Sequence, residues 1–148
     1  MVNISVLYRF KPLLVVLGWA ASLAALTLGN IFQGLLLPNA FELQPQQFGA
    51  DPLGFWIFYI GSFGICVLAA MVIADVGQSL VSVFVVYGLT AFITFAVLAL
   101  PDFSGIVQPP GILQQSSLLF TFNALFPLPL FVDLVGTIVG SGLGERLL

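Results

Sequence analysis

Histidine is absent from this sequence, cysteine occurs once, and lysine and arginine together number three against six acidic residues. Each scarcity excludes something. Without histidine the chain lacks the commonest general base and the commonest metal ligand. The lone Cys66 cannot form a disulfide within the chain, and a cysteine-based metal site would need other ligands. Lying mid-way through an apolar run, it reads as a small packing residue. Three basic side chains make no patch for nucleic acid. Charged residues make up 6% of the chain, against about 25% in a soluble domain, too few to cover a water-facing surface. No P-loop, nucleophile elbow, metal-ligand cluster or dinucleotide fingerprint occurs. No catalytic residue, cofactor site or metal site is therefore expected, and an enzyme is not the expected class.

Apolar residues fill the space that charge leaves. They make up 60% of 148 residues, and mean hydropathy is +1.17. A transmembrane helix takes about 20 residues, so four spans and their loops nearly use up the chain. The expectation is an all-α integral membrane four-helix bundle in a single membrane domain.

The runs place spans at about 13–37, 53–74, 80–100 and 118–140. Pro38 ends the first, and residues 38–52, rich in Pro, Gln and Gly, form a loop. "DVGQS", residues 75–79, is a tight turn with Gly77, which makes spans 2 and 3 an antiparallel hairpin. Residues 101–117 form a second long loop. Arg9 and Lys11 lie before span 1 and Arg146 after span 4, while the two long loops hold Glu42, Asp51 and Asp102 but no basic residue. The positive-inside rule then gives both termini inside, and Trp56 and Tyr59 near the outer interface. The basic start could pass for a signal peptide, but the apolar run from Leu13 to Leu37 exceeds the typical 7–15 residues of such a segment.

Four groups stand out against this apolar background. Asp133 lies inside span 4, roughly 9 to 15 Å from its inner end at 1.5 Å per residue. A charge there is expensive, so it should face the bundle and be protonated, paired or wetted. Tyr87 reaches a similar depth in span 3 and also needs a partner. Arg9, Lys11 and Arg146 are further possible partners, and Asp75 could pair with Asp133 on the inner side. Pro127 and Pro129 each remove a backbone donor, so span 4 should kink or break there. A piece starting afresh after Pro129 would put Asp133 in its first turns, where the helix dipole favours a carboxylate. Asn30 and Asn123 are amides in the outer half, suited to inter-helix hydrogen bonds or to a polar path leading to Tyr87 and Asp133. Gly136, Gly140 and Gly144 recur every four residues, with Gly18, Ala21, Ser22, Ala25 and Gly29 as a second small-residue series. Such spacing lets helices approach closely, inside the bundle or against another subunit.

In its small size and near lack of aqueous mass the chain resembles accessory subunits of membrane complexes and small envelope proteins of membrane-containing viruses. The expected function is a structural or accessory component of a membrane assembly, multi-pass in a plasma membrane or a viral or organellar envelope derived from it. Its expected partners are the lipid bilayer and other membrane subunits or further copies of itself. The alternative is a small transporter or channel subunit using Asp133 as an intramembrane proton or cation site, with the Pro127/Pro129 break as its hinge.

Overall fold

The computed structural model describes residues 4–33, 52–106 and 111–147. These form α1 (Ile4–Phe32), α2 (Pro52–Ile73), α3 (Val76–Phe103), α4 (Ile112–Leu125) and α5 (Leu128–Leu147). The described residues are helical apart from short connections, with no strand among them. Four stretches are long and apolar enough to cross a membrane: Pro12–Phe32, Trp56–Ile73, Val76–Phe103 and Leu128–Leu147. Most of the first long loop lies outside the described residues, including Glu42 and Asp51.

Contacts fix the helix directions. Trp19 and Cys66 share one core cluster, while Leu26 lies against Gly61, so α1 and α2 are antiparallel. Thr90 Oγ1 donates to the Ala20 carbonyl at 3.3 Å, while Ile31 packs in a cluster with Leu98, so α3 runs with α1. Gly136, Gly140 and Gly144 meet Phe63, Val67 and Met71 in order, so α5 runs parallel to α2. The start of α1, the α2–α3 turn and the end of α5 therefore share one end of the bundle.

The hairpin turn is tighter than "DVGQS" suggests. α2 ends at Ile73, Ala74 takes a left-handed conformation (φ 53°), and α3 already begins at Val76. Gly77 is thus inside the first turn of α3. Asp75 caps that turn, its carboxylate accepting from the Gln78 amide at 2.6 Å.

At the other end α3 runs past Leu100 and through Pro101 to Phe103, shortening the connection expected over 101–117. Asp102 is buried there. Both its oxygens accept from the Gly111 amide (3.1 and 2.9 Å), and Oδ2 also accepts from Gln114 (3.3 Å). The carboxylate of α3 thereby satisfies amides at the start of α4 that have no partner within that helix. Gly111 holds φ 96° at this point, a conformation open to glycine at no steric cost.

The run expected as one span over 118–140 is two helices. The break falls at Phe126-Pro127, a cis peptide, and α5 starts at Leu128, one residue ahead of Pro129 rather than after it. Pro129 fits because early helix positions have no intrahelical use for an amide.

Candidate functional site

The α2–α5 seam comes first, because it sets where Asp133 can point. A Cβ on Gly136 would stand 3.1 Å from the Phe63 carbonyl oxygen, and one on Gly144 would stand 2.5 Å from that of Met71. On Gly140 it would overlap the Val67 carbonyl and lie 2.7 Å from the Val67 Cα. The three glycines therefore serve the contact with α2 inside the bundle. Gly18 and Gly29 have nothing within 4 Å of a would-be Cβ, and Ala21, Ser22 and Ala25 are exposed. The α1 series faces outward.

Beside the glycines on α5 runs a ladder of buried polar groups. Thr137 Oγ1 donates to the Asp133 carbonyl at 2.7 Å, and Ser141 Oγ to the Thr137 carbonyl at 2.9 Å. Bonding back to one's own helix lets hydroxyls lie in an apolar core without inter-helix partners. At the head of the ladder is Asp133, 2% exposed.

Four helices meet around its carboxyl. Tyr87 of α3 donates its hydroxyl to Asp133 Oδ2. Ser62 and Cys66 of α2 lie close enough to interact with the carboxyl. The Cys66 thiol is also within reach of the Trp19 indole of α1 and of Thr137. Two complementary buried atoms, the donor Trp19 Nε1 and the acceptor Asp133 Oδ1, form no hydrogen bond. Phe126, at the α4–α5 break, packs edge-on against the Tyr87 ring at 5.8 Å.

Tyr87 and Asp133 thus meet, while the two amides do not join them. Asn30 Nδ2 donates to the Leu26 carbonyl of its own helix at 2.7 Å, and its Oδ1 is buried without a partner. Asn123 is half-buried on α4. The alternative partners of the acid separate likewise. Asp75 lies twelve residues before Tyr87 on the α3 side, roughly 18 Å away along the axis. Arg146 is exposed and thirteen residues beyond Asp133 on α5, roughly 20 Å. The side chains of Arg9 and Lys11 lie outside the described residues. Asp133 is the sixth residue of α5, past the first turn where a helix dipole acts, so the Tyr87 bond rather than the dipole is what meets the carboxyl. Pro127 is exposed and Pro129 buried; together they place the break between α4 and α5.

Trp19, Ser62 and Thr137, which the sequence does not single out, complete the cluster together with Cys66, which it marks only as a packing residue. Among the described residues no group of three or more His, Cys, Asp or Glu could hold a metal ion. The four long apolar helices fit a multi-pass helical membrane protein. No family model, curated protein or solved structure matches the chain.

Proposed function

We propose that the chain is a structural or accessory component of a membrane assembly, either a complex subunit or an envelope membrane protein. The observation that carries this reading is how Asp133 is enclosed. It is 2% exposed, bonded to a tyrosine, and walled by serine, thiol and indole groups from two further helices. Such a carboxyl ties α5 to α3 in one register. A carrier of ions would have to bring it to water in each cycle. The outward small-residue face of α1 supports the second half of the reading, because such faces let a neighbouring helix approach closely.

Native mass spectrometry and crosslinking in mild detergent test the proposal. An oligomer or a co-purifying subunit is expected, lost when Gly18 and Ala25 are both replaced by leucine. A strict monomer with no companion overturns it.

One observation favours a second reading, a small transporter or channel subunit with Asp133 as its proton or cation site. Oδ1 of the acid is buried without a partner and so has capacity to accept one. Proton and alkali-cation flux into liposomes, wild type against Asp133→Asn, decides it. Equal flux in both proteins, or none in either, rules it out.

A further inference from the structure

A groove of about 490 Å3 lies between α3 and α4, beside the α4–α5 break. Its wall on α3 is Ala91, Phe92 and Phe95; its wall on α4 includes Gln115, Leu118 and Phe122. Phe126 closes one end, its ring stacked on Phe122 at 5.3 Å and set against Tyr87. The other end lies toward the Asp102–Gly111 connection, where Gln115 is exposed. Thr121 also borders the groove, but its hydroxyl is shut away from solvent. Between Gln115 and Phe126 the lining therefore offers hydrocarbon alone.

Length and chemistry together select an occupant. Gln115 to Leu125 is ten steps of helix with Phe126 just beyond its end, roughly 16 Å at 1.5 Å per residue. One leaflet of a bilayer core is about 15 Å, half of the roughly 30 Å total. A groove that is polar at the interface, apolar along its length and blocked near the bilayer midplane matches an acyl chain from headgroup to terminal methyl.

We infer that the α3–α4 groove is a binding site for one acyl chain of a membrane lipid, with the headgroup at Gln115 and the chain end at Phe126. The site is separate from the α1 face and from the Asp133 carboxyl, so it stands whichever function those two serve.

The test uses delipidated full-length protein in detergent and a phosphatidylglycerol carrying brominated acyl chains, which quench tryptophan on contact. In a background with Trp19→Phe and Trp56→Phe, which removes the two native tryptophans, Phe122→Trp places the reporter in the groove. Phe131→Trp places it on an exposed position of α5 that does not line the groove. Quenching of the first is expected to saturate at one lipid per protein and to be reversed by unbrominated lipid. Quenching of the second should follow the lipid content of the micelle without saturating. Ala91→Leu, which intrudes on the groove, should abolish the saturable phase; its thermal melt confirms that it folds, and Leu118→Trp repeats the reading from a second position on the α4 wall. Parallel, unsaturated quenching at Phe122→Trp, Leu118→Trp and Phe131→Trp would overturn the inference.

Discussion

The hydroxyl of Tyr87 on α3 donates to Asp133 on α5, 46 positions further along the chain, while the second carboxyl oxygen is buried without a partner. Deleting the donor removes the carboxyl's hydrogen bond to α3 and leaves only Ser62 and Cys66 beside it, at a penalty of about 1–3 kcal/mol. Tyr87→Phe is therefore expected to destabilise the protein by that amount in reversible unfolding from detergent micelles. Replacing both partners, as Tyr87→Phe with Asp133→Leu, should be milder than the sum of the single changes, with a coupling of about 0.5–3 kcal/mol. Strict additivity would show that the bond contributes nothing to the fold.

Glycines on one helix should respond with opposite signs. At Gly140 a methyl group would overlap the Val67 carbonyl, so Gly140→Ala must push α5 off α2, a loss of about 1–3 kcal/mol by analogy with overpacked cores. At Gly142 a Cβ has nothing within 4 Å, and alanine there should stabilise the helix by about 0.5–1 kcal/mol. Thermal melts of the two variants side by side check both signs.

Asp102 joins the end of α3 to the start of α4 through the Gly111 and Gln114 amides. Asp102→Ala should lose a cap worth about 0.5–2 kcal/mol. Hydrogen exchange should localise the loss: the first-turn amides of α4 speed up while those of α5 beside the α2 seam stay protected. Uniform acceleration along the chain would contradict a local cap.

Ala74 holds φ 53° between α2 and α3, a conformation in which a Cβ is penalised and glycine is favoured at helix ends. Ala74→Gly is expected to raise stability by up to about 1 kcal/mol. Asp75→Ala, which removes the acceptor for the Gln78 amide, should lower it by about 0.5–2 kcal/mol. Equilibrium unfolding of the two variants tests the pair.

The sequence made some of these features legible and hid others, for physical reasons. The break after α4 was visible because proline lacks a donor whatever surrounds it. The meeting of Tyr87 with Asp133 was visible because each is a polar group in oil, and counting residues from the 75–79 turn gives both nearly the same depth. Asp102 was hidden because its partners are backbone amides, nine and twelve positions away, which no residue type announces. Trp19, Ser62 and Cys66 were hidden for another reason. Helices apolar on every side carry no stripe to show which face turns inward, so their rotation about the bundle could not be read. The same uniformity left open whether Gly136, Gly140 and Gly144 or the α1 series served the interior.

The parallel seam between α2 and α5 bears on the order in which the protein can be built. α3 and α4 both come between these helices in the chain, so during synthesis the Phe63, Val67 and Met71 face of α2 waits in the membrane with nothing against it. When α5 arrives it closes the glycine contact and delivers Asp133 to Tyr87 in the same movement. Assembly of this bundle is thus committed late, and a ribosome stalled before Leu128 would leave three crossings with an open flank rather than a smaller version of the fold.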